Sequence, residues 1–409
     1  MAEDIGHKCG IAAVYLFDEK ENVVPPLGSM LLQLQHRGKR SAGITTYNPD
    51  RAQRLDSHRE LGRVNSVFRE GDNERKIGLY QKYRGYIGIG SVRYPTSGAR
   101  YDPEIERFAI QPFENHGNYM TFDWFAFAFN GNIANNKEVQ GELEEDGHYF
   151  AYELDTETIR RWLRTKFYSK DGMSSDKTKI EDSIIGVFSE FSEKFQGAYS
   201  MVFLNALGQL AILRDPHGIR PLVYGHNDKI FAVSSESLAL EKVGFNLEDI
   251  KDVKPGEIIL VSDSRIRKET FAESNRIAHC LFEYVYMSKA SSVIDGVSVL
   301  QVRRNFGINL TELVREAIPG ISKEKGYIVV SVPSTAIPAA QSLADELNLP
   351  YVQALEALGE SGRSFIEDER DRGRIISEKF TLHRELVRGK KVVLADDTTV
   401  RGPTATALV

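Results

Sequence analysis

Only two cysteines, Cys9 and Cys280, occur in 409 residues. That excludes a disulfide framework and any four-thiolate metal site built by this chain alone, and it fits a reducing compartment, the cytoplasm. No run of about 18 apolar residues is present, so no membrane-spanning helix is expected. The first eight residues are polar and acidic with no apolar core, which excludes a secretory signal. Positive charge is not in excess either: 52 Lys and Arg stand against 58 Asp and Glu, for a net charge of −6, so no overall field favours nucleic acid or an anionic membrane. What is present, 41% hydrophobic and 27% charged residues, is the composition of a globular enzyme with length enough for two domains.

The scarcity of cysteine directs attention to Cys9, in His7-Lys8-Cys9-Gly10-Ile11-Ala12-Ala13-Val14-Tyr15. A cysteine followed by Gly and a β-prone apolar run reads either as a buried structural thiol or as a nucleophile at the start of a strand. Cutting the Lys8–Cys9 bond would release an α-amino group with a pKa of roughly 7.7 to 8.0, suited to act as base for its own thiol. Pro25 and Pro26 break the chain before a short helix over 27–35, and Gln35-His36-Arg37-Gly38 leads into a basic turn at Lys39-Arg40. A small-residue strand over 88–92 then delivers Arg93 and Thr96 into a Pro/Gly turn, as a carboxylate clamp or an ordinary hairpin. An aromatic strand over 121–129 stops at Asn130-Gly131-Asn132. That dipeptide reads either as a hairpin turn or as an amide and a backbone N–H for an oxyanion. Asp155 opens a helix over 158–167, as an N-cap or as the acceptor of a substrate ammonium group. Paired strands over 197–204 and 210–213 and a further strand over 231–237 complete a layered α+β domain spanning 9–262.

Beyond residue 263 the pattern alternates. A helix is expected over 301–317, a strand over 327–332, a helix over 336–347 and a strand over 350–354, as in a parallel α/β sheet. Residues 359–386 are highly charged, which reads as a lid, a mobile loop or a solvated insertion. The apolar strand at Lys391 ends in Asp396-Asp397 and is followed by Thr398-Thr399-Val400-Arg401-Gly402-Pro403-Thr404. Carboxylates at a strand's end suit ribose hydroxyls, and a hydroxyl-rich loop before a helix suits a phosphate.

Taken in order, Cys9-Gly10-Ile11, Gln35-His36-Arg37-Gly38, Val92-Arg93-Tyr94-Pro95-Thr96, Gln111-Pro112-Phe113, Asn130-Gly131-Asn132, Arg214-Asp215-Pro216, Ser235-Glu236-Ser237, Leu281-Phe282-Glu283-Tyr284-Val285-Tyr286 and Asp396-Asp397 resemble the amidophosphoribosyltransferase family, within the class II glutamine amidotransferases. The resemblance implies an α+β N-terminal-nucleophile (Ntn) hydrolase glutaminase domain, a four-layer sandwich, followed by an α/β type I phosphoribosyltransferase domain over 263–409. It implies a propeptide at 1–8, catalysis by Cys9, Asn130 and Gly131, and glutamine binding by Arg93, Thr96 and Asp155. It assigns phosphoribosyl pyrophosphate to Asp396, Asp397, Thr398, Thr399, Arg401, Gly402 and Thr404. Magnesium would accompany the pyrophosphate, near Asp396 and Asp397. The implied reaction makes 5-phosphoribosylamine, glutamate and pyrophosphate, the first step of purine synthesis. The family also implies a homo-oligomer inhibited by purine nucleotides.

The chain departs from the family pattern in places. Ala357-Leu358-Gly359-Glu360 stands where a basic stretch is expected, Glu367-Asp368-Glu369-Arg370 replaces a Pro and Gln, and Pro403 replaces a Thr with an available N–H. These changes keep a second reading open, a diverged relative whose glutaminase survives beside a regulatory or binding domain. Family members are expected to run on for roughly another hundred residues, leaving the second domain incomplete. The further ligands of an iron-sulfur cluster at Cys280 would lie in that extension, so no cluster is expected from this chain.

Overall fold

The computed structural model describes residues 9–94, 103–117, 124–169, 177–274, 276–358 and 380–398. The chain divides into two compact units, Met1–Cys280 with Ile294–Gly296, and Leu281–Val293 with Val297–Val409.

The first unit holds two antiparallel sheets. One has seven strands in the order Lys251–Asp252, Val223–His226, Ile230–Ser234, Gly10–Leu16, Ile87–Arg93, Ser41–Tyr47 and Leu55–Leu61. The other has six, in the order Arg265–Thr270, Glu257–Ser262, Leu210–Arg214, Gly197–Asn205, Phe125–Ile133 and Phe113–Asn115. Side-chain alternation builds the layers. Ala126, Ala128, Val202, Leu204 and Ile212 pack into the core shared with the first sheet, whereas Phe125, Phe127, Phe129, Met201 and Phe203 pack outward onto Ile159, Trp162, Ile184, Val187 and Phe188 of the helices Asp155–Ser169 and Lys177–Lys194. The helix Val24–Gln33 covers the far face of the first sheet. Helix, sheet, sheet and helix make four layers, the α+β sandwich that the family resemblance implies.

Several local expectations change. Pro25 and Pro26 do not break the chain ahead of a helix; they start it at Val24, where a missing N–H is no loss. Asn130-Gly131 is not a hairpin turn. It lies inside the Phe125–Ile133 strand, because pairing with Gly197–Asn205 runs unbroken from Phe125↔Asn205 to Ile133↔Gly197. The 262/263 division falls in a hairpin, and the following strand, Arg265–Thr270, pairs with Glu257–Ser262 and edges the same sheet.

In the second unit, Tyr327–Ser331 and Lys391–Ala395 pair in parallel, and a single parallel bridge joins Val329 to Tyr351. The expected strand at 350–354 is therefore only a bridge, with Leu355–Ala357 pairing antiparallel to Phe380–Leu382 beyond it. The helices Val299–Ala317 and Ile337–Leu347 pack on each other, and Val329 and Leu343 share a small core on one face of the parallel pair. Residues 359–379, most of the charged stretch, lie outside the described residues.

Candidate active site

Strand pairing assembles the first site from distant segments. Gly10 pairs with Val92, so Cys9 stands beside Arg93 at the ends of neighbouring strands. A side chain on Gly10 would strike Val92 and Leu34, and one on Gly90 would strike Leu31, all on the helix-covered face. Alternation therefore turns Cys9, Ser91 and Arg93 toward the second sheet. From that sheet, Asn130 and Ser200 occupy directly paired positions and face back.

Cys9 is 5% exposed and Arg93 4%. Burial pushes the Cys9 thiol up, opposed by the Arg93 charge, the Tyr94 backbone N–H and the Arg220 charge, with Asp155 adding to the rise. Burial also lowers Arg93 below the usual guanidinium range, against the pull of Cys9, Asp155 and Glu106. Asp155 opens the Asp155–Ser169 helix and its Oδ1 accepts the Thr156 N–H at 2.7 Å. Burial raises Asp155 to about 6, although the Thr156 N–H, Arg93 and the Ile133 N–H hold it down. An Arg and an Asp facing one thiol can grip the carboxylate and the ammonium of an α-amino acid.

Asn130 is fully buried, and among the described residues neither its Nδ2 nor its Oδ1 has a hydrogen-bond partner. A buried amide normally satisfies both atoms, because each lost bond costs about 1–3 kcal/mol. An amide in that state can donate to a charge that forms beside it. At Gly131 a Cβ would run into the Ala198 carbonyl, the Phe129 ring and the Tyr199 Cβ, so only glycine fits there.

A network of buried Arg37 and Glu236 with His36 fixes the Cys9 backbone. Arg37 Nε donates to the Cys9 carbonyl at 3.1 Å and its Nη1 to Glu236 at 2.7 Å, while His36 Nε2 meets the same Glu236 oxygen at 2.7 Å. Burial would raise Glu236, but His36 and Arg37 outweigh it and hold the carboxyl at about 2. Ser235 Oγ accepts the Ile11 N–H at 3.0 Å. Gly38 lies against the Arg93 backbone, where an added Cβ would stand 2.5 Å from the Arg93 nitrogen. The available signal was charge: Arg37 and Glu236 each sit in motifs bordering apolar segments.

In the second unit, Asp396 and Asp397 follow the Lys391–Ala395 strand at its carboxyl end. Thr335 Oγ1 donates to Asp397 Oδ2, the Asp397 N–H to Asp396 Oδ1 at 2.8 Å, and Thr398 Oγ1 to Asp397 Oδ1 at 2.9 Å. Partial burial and the adjacent Asp397 charge push Asp396 up to about 6. Thr335 was not anticipated. It arrives because Ser331 pairs with Ala395, bringing the two strand ends together. Thr96, Thr399, Arg401, Gly402 and Thr404, like Met1 to Lys8 and Pro403, lie outside the described residues. Among the described residues no three His, Cys, Asp or Glu side chains converge as a metal cluster. Two carboxylates at one strand end fit a magnesium ion held mainly by a substrate's phosphates.

A family described as a glutamine amidotransferase domain matches residues 106–242. An amidophosphoribosyltransferase of Methanothermobacter thermautotrophicus is 36% identical over 410 residues, covering 99% of this chain and 77% of that protein. Its counterpart in Bacillus subtilis is 28% identical, covering 99% and 76%. A solved structure of glutamine phosphoribosylpyrophosphate amidotransferase from B. subtilis, complexed with ADP and GMP, superposes with a TM-score of 0.74 at 28% identity, over 97% of this chain and 77% of that one. A second, described as the allosteric regulatory enzyme of purine biosynthesis, gives 0.77 at 27% identity, over 98% and 77%.

Proposed function

The chain belongs to the amidophosphoribosyltransferase family, and on that premise we propose that it hydrolyses glutamine and passes the ammonia to 5-phosphoribosyl 1-pyrophosphate, yielding 5-phosphoribosylamine, glutamate and pyrophosphate. The two folds are those of the family, an Ntn glutaminase domain and a phosphoribosyltransferase domain, and we assign the first to the first unit and the second to the second. The observation that carries the glutaminase reading is the fully buried, unpartnered Asn130 amide on the strand facing Cys9.

Removal of residues 1–8 frees the Cys9 amine. That amine takes the thiol proton as sulfur attacks the glutamine side-chain carbonyl, and returns it to the departing ammonia. The oxyanion forms against Asn130 Nδ2 and the Gly131 N–H, and water then releases glutamate from the thioester. Arg93 and Thr96 hold the glutamine carboxylate, and Asp155 holds its ammonium group. The Arg37–Glu236 network keeps the Cys9 carbonyl, and with it the new amine, in register.

In the second unit, Asp396 and Asp397 accept the ribose hydroxyls, and Thr398, Thr399, Arg401, Gly402 and Thr404 surround the 5-phosphate. Ammonia displaces pyrophosphate at the ribose anomeric carbon. A magnesium ion, when bound beside Asp396 and Asp397, offsets the charge of the leaving pyrophosphate. We propose purine nucleotides as inhibitors of this chain; the B. subtilis structure, complexed with ADP and GMP, supports nucleotide binding. We further propose a homo-oligomer in the cytoplasm; among the described residues no helix is long and apolar enough to cross a membrane.

The second reading, a glutaminase joined to a binding domain, draws on Ala357, which ends the Leu355–Ala357 strand, and Leu358 after it, neither of them a cation. Supplying ammonia in place of glutamine separates the two. Pyrophosphate release under those conditions supports transfer, and its absence leaves only the binding reading.

A further inference from the structure

Arg214 is 1% exposed, yet all five of its side-chain N–H groups have partners. Nε donates to the Arg220 carbonyl at 2.8 Å, and Nη1 to the Val253 carbonyl at 2.9 Å and Asp295 Oδ1 at 2.6 Å. Nη2 donates to the Gly218 carbonyl at 2.7 Å and Asp295 Oδ2 at 2.9 Å. Two of these carbonyls belong to the turn over 215–220. Asp215 closes the same turn by accepting the N–H groups of Ile219 at 2.9 Å, of His217 at 2.9 Å and of Arg220 at 3.2 Å. The turn ends in Arg220, 6% exposed, whose charge acts on the Cys9 thiol. Arg214 also pairs across the sheet with Ser200, itself paired with Asn130, so its anchor lies in the cross-strand row that carries the amide.

Asp295 is delivered to Arg214 from well beyond the sheet strands. Its backbone takes a left-handed conformation, φ 50°, its N–H donates to Asp252 Oδ1 at 2.8 Å, and His279 lies 3.4 Å from its Oδ2. We propose that Asp295 is a positioning residue of the glutaminase reaction: its carboxylate locks Arg214, and Arg214 sets the turn that presents Arg220 to the nucleophile. The proposal rests on Cys9 being that nucleophile. Without the carboxylate, two buried N–H groups lose their acceptor, and the guanidinium no longer has one fixed orientation from which to hold the 218 and 220 carbonyls. Displacements of about 1 Å are enough to slow an oriented reaction.

The test is a double-mutant cycle on the full chain, measuring glutamine hydrolysis for wild type, Asp295→Asn, Arg220→Gln and the double variant, with Asp295→Glu as the conservative change. Asp295→Asn should lower kcat about tenfold, equivalent to about 1.4 kcal/mol, with glutamine KM within about twofold. Asp295→Glu should recover most of that loss, and the double variant should be no slower than Arg220→Gln alone. If Asp295→Asn does not fold, Arg214→Lys completes the cycle, because it keeps the buried charge but cannot reach both Asp295 oxygens; the same non-additivity with Arg220→Gln is expected. Additive losses, an Arg220→Gln variant with wild-type kcat, or an Asp295→Asn variant that melts earlier yet keeps its kcat would overturn the proposal alone. A Cys9→Ala chain that still hydrolyses glutamine would overturn both this proposal and the reading beneath it.

Discussion

Arg37 donates through Nε to the Cys9 carbonyl oxygen at 3.1 Å. The same guanidinium is held by Glu236, a fully buried carboxylate, so the residue proposed to become the chain's new terminus is fixed by an ion pair formed across the fold.

Glu236→Gln should therefore destabilise the first unit by about 3 kcal/mol, because it leaves Arg37 buried without its counter-charge. The folded Glu236 sits at about 2, below the unfolded value near 4.3, so its stabilisation is complete above about pH 5 and is lost as pH falls toward 2. Urea unfolding followed by tryptophan fluorescence checks this directly, since both tryptophans, Trp124 and Trp162, lie in the first unit. The gap between variant and wild type should be wide at pH 7 and narrow at pH 3.

Asn130→Ala should lower kcat for glutamine hydrolysis by about 10²–10³, with KM little changed, because the amide is needed only when the oxyanion forms. Steady-state kinetics at saturating glutamine read this out. A rise in KM at unchanged kcat would instead assign Asn130 to substrate binding.

Asp155 sets a pH dependence. Its carboxyl is raised to about 6, and only the ionised form pairs with an ammonium group, so kcat/KM for glutamine should fall more steeply below about pH 6 than protonation of the Cys9 amine alone requires. Asp155→Asn should remove that added steepness and raise KM by about 10–100-fold, the value of a charged hydrogen bond. A pH profile of both chains checks it.

Asp397→Asn should weaken use of phosphoribosyl pyrophosphate by about tenfold or more while leaving basal glutamine hydrolysis intact, since it loses an acceptor for a ribose hydroxyl. Chelating magnesium should act in the same direction. Separate assays of pyrophosphate and glutamate formation distinguish this from a general loss of fold.

Much of the fold was legible because the apolar pattern of the chain is local. The sheets of the first unit and the helix–strand alternation of the second follow from runs such as 197–204 and 327–332. Cys9, Arg93, Asn130 and Asp155 were legible as chemistry; Arg93 and Asp155 act on the Cys9 thiol, and Asn130 lies on the sheet that faces it. What sequence could not show is partnership across the fold. Asn130-Gly131 carries the local signal of a turn, and only its ladder with Gly197–Asn205 keeps it extended. Glu236 and Asp295 meet Arg37 and Arg214 through topology, which no window of sequence contains. Thr335 joins Asp397 for the same reason, since their strands are neighbours only in the folded sheet.

Transfer of glutamine's ammonia to a phosphoribosyl group is tested by measuring glutamate and pyrophosphate from one preparation, with Cys9→Ala beside wild type. Glutamine should yield equal amounts of both products. In Cys9→Ala the glutamine-dependent reaction should fall by at least about 10³-fold, with pyrophosphate release restored by added ammonia. Glutamate formation without pyrophosphate, even when ammonia is supplied, would contradict the transfer.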